Sequence, residues 1–335
     1  MIRCGIVGYG LAGAVFHAPL IRAAEGLELA GVSTSRRENA PPDVPAYAHE
    51  ELIRRPDIDL VIIASPNQSH FPLAEAALLA GKHVVVEKPF TVTIAEADAL
   101  IALADRQQRV LTVFHNRRWD GDFMTVWALM ESGRLGNVML FEARWDRFRP
   151  DIAQRWRERP GGGAGLLFDL GPHLIDQALL LFGRPDAVAA DLASQRERAE
   201  VDDYFELTLH YGRMRAILAS SRLIAEPRPR FALHGDGGSF VKHGLDTQEE
   251  ALRGGAGPHD PGFGADPLPG TFTSPDGARS LVPTLPARWL TFYEAVGAAI
   301  RGEAPAPVDP ADARTGLAII ELARRSALEG SRLPL

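Results

Sequence analysis

The sequence predicts an α/β chain in two parts: a domain of alternating strands and helices around a parallel sheet, then an α+β domain with a large, mostly antiparallel open sheet. Three observations predict it. An apolar strand pattern at the start, Ile2 to Val7, runs directly into a glycine-rich turn and a helix. Strand and helix patterns then alternate as far as Phe114. Beyond about Asp120 the pattern changes to long runs in which apolar and polar residues alternate with period two. Alternating strands and helices imply right-handed βαβ units, and period-two runs imply strands with one covered face. The 335-residue length also favours two domains, assigned as 1–120 and 121–335.

The glycine-rich turn is Gly8-Tyr9-Gly10-Leu11-Ala12-Gly13. In a strand–turn–helix context this is the fingerprint of a Rossmann dinucleotide site. The first glycine makes the tight turn, the second admits a pyrophosphate, and the third lets helix pack on strand. Gly8, Gly10, Leu11 and Gly13 are therefore candidate cofactor contacts, beside a helix start that favours anions. Leu27 to Ser33 reads as the second strand and Leu60 to Ala64 as the third. A helix from Ser69 to Leu79, a strand at Val84 to Val86, a helix from Ile94 to Arg106 and a strand from Val110 to Phe114 complete the domain. Ser65-Pro66-Asn67, with His70 just after, and Glu87-Lys88 both follow carboxyl ends of strands, where open α/β sheets bind ligands. Asn116, after the last strand, is placed on the nicotinamide side, and Arg118 toward substrate. The plainer alternative for 115–120 is an interdomain linker held by surface ion pairs.

Lys88 ends a β-branched run that reads as buried on both faces, and Pro89 stops that strand. A lysine there can hold an anion or a developing alkoxide; a solvated lysine is the bland alternative. The end of the second strand reads Ser33-Thr34-Ser35-Arg36-Arg37, with no acid before Glu38. An NAD site usually carries Asp or Glu about 20 residues after the glycines, to hold the ribose 2′-hydroxyl. Small hydroxyls and two arginines suit a 2′-phosphate instead, so NADP(H) is the expected cofactor. Dual specificity is the alternative if the arginines are only solvated.

In the second half, Phe205 to Tyr211 and Met214 to Leu218 alternate around Gly212-Arg213, a hairpin signal. Val138 to Phe148 and Ala187 to Gln195 are further strands, and Phe231–Leu233 and Phe240–Lys242 flank a hairpin-like connection. Residues 254–270, dense in Gly and Pro, read as a surface loop, and two helices finish the chain at about 286–301 and 310–329. The chemical signal is Asp169-Leu170-Gly171-Pro172-His173-Leu174-Ile175-Asp176. On a helix, Asp169, His173 and Asp176 share one face. Pro172 predicts a kink or a late start. Histidine beside carboxylates suits general acid–base work. A capped helix with a satisfied polar face is the structural alternative, and one histidine with two carboxylates makes a thin metal site, so no metal is expected.

The net charge of −7 and the scattered arginines argue against a nucleic-acid partner. The single cysteine, Cys4, lies in the first apolar run and reads as a small buried hydrophobe. No apolar run approaches a membrane span, and no signal peptide pattern precedes Ile2, so a cytoplasmic protein is expected.

These pieces together resemble the Gfo/Idh/MocA oxidoreductase family over essentially the whole chain. The resemblance rests on Gly8 to Gly13, on Ser65-Pro66-Asn67 with His70, on Glu87-Lys88-Pro89, and on Asp169 with His173. Val15 to Leu20, Thr34-Ser35-Arg36, His115 to Asp120 and Arg155-Trp156-Arg157-Glu158 bring the likeness closest to the family's NADP-dependent scyllo-inositol dehydrogenases. The resemblance implies that Lys88, Asp169 and His173 are the catalytic set and also touch the substrate, with Arg118 and Trp156 at its lip. It implies oxidation of a ring secondary alcohol of a cyclitol or sugar, and a homodimer or homotetramer assembled through the second sheet. The loop over 254–270 departs from the family pattern. Two other readings stay open: a glycoside hydrolase that retains its nicotinamide, and a catalytically silent cofactor sensor.

Overall fold

The computed structural model describes residues 1–35, 37–153 and 156–335, apart from the side chains of Arg37 and Trp156. The chain folds into two compact units, neither of them one continuous stretch. The first holds 1–119 together with 247–264 and 288–314; the second holds 120–246, 265–287 and 315–335.

The first unit is built on a parallel sheet. Its strands are β1 (Ile2–Val7), β2 (Leu27–Ser33), β3 (Ala46–Tyr47), β4 (Leu60–Ile63), β5 (His83–Val86) and β6 (Leu111–Val113). They lie in the order β3-β2-β1-β4-β5-β6. The sequence pattern predicts all of these except β3, whose two residues are too few to show a period. The order reverses between β1 and β4, the switch point where doubly wound sheets bind ligands. The central strands are apolar because helices cover both faces: Val84, Val85 and Val86 are each fully buried. Such burial contributes about 1.5–3 kcal/mol per side chain. Cys4 is buried in β1, and burial pushes its thiol up to about 12, which leaves it an inert packing residue.

After β1 the chain turns at Gly8 into a helix from Leu11 to Ala23, π-helical over Ala12–His17 and regular over α1 (Ala18–Ala23). α2 (His49–Arg54), α3 (His70–Leu79) and α4 (Ile94–Gln107) follow the later strands. α4 starts in a capping box, with Thr93 accepting from the Glu96 N–H and Glu96 reaching back to the Thr93 N–H.

The second unit is a sheet of nine strands in the order β14-β13-β12-β11-β7-β10-β9-β8-β15. In chain order these are β7 (Val138–Arg144), β8 (Ala187–Ala193), β9 (Tyr204–Tyr211), β10 (Met214–Ser221), β11 (Phe231–Gly235), β12 (Gly238–Lys242), β13 (Gly270–Thr273), β14 (Arg279–Val282) and β15 (Leu333–Pro334). β7 and β10 pair in parallel, and the other pairs are antiparallel. The hairpin expected at Gly212-Arg213 joins β9 to β10. Two more helices belong here: α5 (Gly121–Glu131) and α6 (Leu166–Phe182). α6 packs on β9 and β10. Phe205, Leu207, Leu209, Ala216 and Leu218 are buried on the sheet face that alternation assigned to the core.

Of the remaining helices, α7 (Gln248–Arg253) and α8 (Leu290–Ile300) lie in the first unit, and α9 (Pro310–Glu329) precedes β15. Among the described residues, no helix is long and apolar enough to cross a membrane.

Candidate active site

In the first unit the glycine turn sits at the switch point. Gly8 has φ +98°, and a Cβ there would lie 2.6 Å from the Ala64 backbone, so only glycine fits between β1 and the end of β4. A Cβ on Gly13 would collide with the Gly8 carbonyl oxygen. A Cβ on Gly10, by contrast, would meet no atom of this chain within 4 Å. Gly10 therefore leaves a bare backbone facing open space at a helix start, which is the space a pyrophosphate needs. The residues present fit a dinucleotide.

The end of β2 is tied to this turn, because the Ser33 carbonyl accepts from the N–H groups of Gly8 (2.9 Å) and Tyr9 (3.1 Å). The Ser33 hydroxyl is buried and hydrogen-bonded to Nδ1 of His49 at 2.5 Å. Thr34 is half-buried and Ser35 exposed. Arg36 and the Arg37 side chain lie outside the described residues, as does the Trp156 side chain.

After β4, the Ser65 and Ser69 hydroxyls are 2.7 Å apart, and Ser69 donates to the Pro66 carbonyl at 2.6 Å. Asn67 is buried beside them. His70 is fully buried between two carbonyls, Pro89 at 2.9 Å from Nδ1 and Ser65 at 3.0 Å from Nε2. Burial pushes its imidazole below the ordinary value, against the pull of those carbonyls. His70 therefore links the loops after β4 and β5 through its ring.

Lys88 follows β5 and is half-buried, and its backbone N–H donates to Oε2 of Glu87 at 3.0 Å. Burial alone would raise the Glu87 carboxyl. The hydrogen bond from His17 and the nearby charge of Lys88 outweigh it and hold the group below its ordinary value. Asn116 is buried after β6. Arg118 pairs with Asp312 at 3.2 Å. Arg117 is buried, pairs with Glu249 at 2.6 Å and lies 4.6 Å over the Trp289 ring. The polar cluster after β6 is thus bound to segments that return late in the chain.

In the second unit, α6 carries Asp169 in its first turn and His173 one turn on, with Asp176 on the same face. The helix runs from Leu166 through Pro172 to Phe182, so it does not start late at the proline. Nearly every residue from Leu166 to Ala178 is buried, and that packing outweighs the one hydrogen bond Pro172 cannot donate. The helix start is fixed from outside: the Leu167 N–H donates to Oδ2 of Asp202 at 2.7 Å, and the Leu166 N–H to the Asp202 carbonyl at 2.8 Å.

The Asp169 carboxylate lies 3.2 Å from Nη2 of Arg222 and 3.6 Å from Nε of Arg157. His173 is 5% exposed, with the Trp145 ring 5.8 Å away. A buried imidazole and a guanidinium-bound carboxylate on one helix face can pass a proton and hold a hydroxyl. Sequence reasoning missed Arg222, Asp202 and His49, and His17 appeared only inside a motif. Arg157 appeared only inside a motif. Among the described residues, no group of three or more His, Cys, Asp and Glu could hold a metal ion.

A parallel sheet with a glycine cradle at its switch point, followed by a mixed-sheet domain carrying a histidine and a carboxylate on one helix, defines a two-domain, dinucleotide-binding oxidoreductase. Residues 2–115 match the NAD-binding Rossmann fold of the Gfo/Idh/MocA oxidoreductase family, and residues 128–335 match that family's C-terminal alpha/beta domain. The chain belongs to the Gfo/Idh/MocA family. It is 45% identical to the uncharacterized oxidoreductase YdgJ of Escherichia coli, over 100% of this chain and 99% of that protein. It is 41% identical to the NADP(+)-dependent scyllo-inositol 2-dehydrogenase IolW of Bacillus subtilis, over 98% and 94% of the two chains. The crystal structure of the B. subtilis oxidoreductase yvaA superposes with a TM-score of 0.96 at 40% identity, covering 100% of this chain and 98% of that one.

Proposed function

We propose that the protein is an NADP(H)-dependent dehydrogenase that interconverts a ring secondary alcohol and ketone of a cyclitol or sugar, with scyllo-inositol and its inosose as the leading pair. The observation that carries the cofactor is the end of β2, where Ser33-Thr34-Ser35 replaces the carboxylate of an NAD site. The 41% identity to a scyllo-inositol 2-dehydrogenase supports the substrate class. The bound nicotinamide supplies the hydride acceptor during oxidation and the donor during reduction. The protein's own groups do the rest. His173 takes the hydroxyl proton as the alcohol is oxidised and returns it as the ketone is reduced. Lys88 stabilises the alkoxide-like oxygen. Asp169, held by Arg222 and Arg157, orients His173 or a neighbouring hydroxyl.

The test is the ratio of kcat/KM for the two cofactors, measured across a panel of inositols and aldoses. NADP should be preferred in wild type, and an Arg36→Ala/Arg37→Ala variant should lose that preference. A wild type that favours NAD, or a double variant with unchanged preference, refutes the cofactor assignment. His173→Ala and Lys88→Met should each lose turnover by about 10²–10⁴-fold. His173→Ala should keep cofactor affinity by fluorescence titration. Wild-type rates in His173→Ala at every pH would remove histidine from the mechanism.

A further inference from the structure

Behind the strand end that carries Lys88 runs a buried chain of hydrogen bonds that the proposed chemistry does not use. The Tyr293 hydroxyl lies 2.6 Å from Nδ1 of His17. Nε2 of His17 lies 3.1 Å from Oε1 of Glu87. The other oxygen of Glu87 accepts from the Lys88 backbone N–H at 3.0 Å. His17 and Tyr293 are wholly buried, and the Glu87 side chain is 13% exposed. His17 comes from the π-helical stretch after the glycine turn, and Tyr293 from α8, so distant parts of the first unit meet at one imidazole.

The ring plane of His17 is fixed by packing. Its centroid lies 4.4 Å from that of Phe114, which in turn lies 4.9 Å from Phe292. Burial also fixes the state of the tyrosine. Tyr293 is pushed well above its ordinary value, so its hydroxyl stays protonated beside Nδ1. The ionised Glu87 carboxylate can only accept, so the bond from Nε2 of His17 is an N–H donation. The groups that act on the Glu87 charge are then His17, Lys88 and His70, with Tyr293 behind His17. Burial pushes the His70 imidazole down, toward its neutral form.

Burying a carboxylate costs several kcal/mol before pairing, and an apolar cluster of equal volume would serve stability as well. A local consequence of keeping it falls on the next residue. Glu87 fixes the backbone of Lys88, whose N–H donates to its carboxylate. We propose that His17 is a positioning residue: through Glu87 it holds Lys88 in place. This rests on the reading that Lys88 meets the reacting oxygen.

The experiment compares His17→Phe, His17→Gln, Glu87→Gln, the double variant His17→Phe/Glu87→Gln and Lys88→Met. Phenylalanine keeps the ring contacts but has no donor, whereas glutamine sets an amide N–H near the place of Nε2. His17→Phe should lower kcat by about 10²-fold, the scale of a displaced reacting group, with cofactor Kd unchanged. His17→Gln should recover most of that loss. The double variant should be no slower than Glu87→Gln alone, because both changes cut one chain. Without His17, burial raises the Glu87 carboxyl, so the deficit of His17→Phe should widen as pH falls. The deficit of Glu87→Gln should stay constant with pH.

Wild-type kcat in His17→Phe, or losses that simply add in the double variant, would overturn the proposal. If His17→Phe does not fold, Glu87→Gln decides, and wild-type turnover there would equally refute it. Failure of the underlying reading looks different. Lys88→Met would then keep wild-type turnover, whereas an inactive Lys88→Met beside a normal His17→Phe sinks only the His17 inference.

Discussion

Gly10 and Gly13 belong to one motif but are glycine for different reasons. A side chain at Gly13 would strike the Gly8 carbonyl within the protein, whereas one at Gly10 would project into space open to a ligand. The two substitutions should therefore separate folding from binding. Gly13→Val should lower thermal stability by about 1–3 kcal/mol, the usual cost of overpacking. Gly10→Val should leave the melting temperature of the cofactor-free protein unchanged and abolish cofactor binding in a fluorescence titration. A Gly10→Val protein that binds cofactor normally would remove the pyrophosphate from this turn. The motif was legible because all its parts lie within six residues of sequence. The partners that complete the site were not. Arg222 meets Asp169 across 53 positions, and Tyr293 meets His17 across 276. Periodicity reports only neighbours on one element, so such pairs emerge only when the chain is folded.

At the scale of elements, the strands of the first unit were readable because full burial makes them continuous apolar runs with sharp ends. β3 escaped because two residues carry no period. α6 shows the opposite error. Proline chemistry predicted a kink or a late start at Pro172, but the helix begins six residues before it, and tertiary burial offsets the local penalty. The start of α6 depends on Asp202, which no spacing rule within the helix could reveal. Its carboxylate accepts from Leu167, and Gly165, with φ +96°, leaves it the room to do so. Asp202→Ala should destabilise the protein by about 0.5–2 kcal/mol, the range for a lost N-cap. Because Asp169 lies in that first turn, kcat should fall as well. Asp202→Asn keeps an acceptor oxygen and should restore most of the melting temperature. If Asp202→Ala melts like wild type, the helix start is held by backbone contacts alone.

At the scale of the whole molecule, the second sheet has one face covered by α6 and a second face opposite it. On that second face, residues alternate with the core positions along β7, β9 and β10: Glu142 and Arg144, Glu206 and Thr208, Arg215 and Ile217. All of them are half-buried or exposed rather than buried. Charges are present in equal number, and Arg144 pairs with Glu142 and reaches Glu206 at 3.7 Å, while Arg215 donates to the carbonyls of Gly212 and Met214. Ile217 sits between Glu142 on β7 and Thr208 on β9, an apolar side chain near the middle of the sheet. A broad face with internally matched charge and an apolar centre suits burial against its own copy, since a two-fold interface sets the same patch against itself. The protein should therefore be a homo-oligomer joined through this face. Light scattering should give a multiple of the 36.4 kDa chain mass at micromolar concentration. Ile217→Arg places an unmatched charge at the centre of the patch without entering the core, and should shift the population to monomer while the thermal unfolding of each chain stays cooperative. A wild type that scatters as a monomer would refute assembly altogether. An Ile217→Arg variant that stays fully assembled would move the interface to another surface.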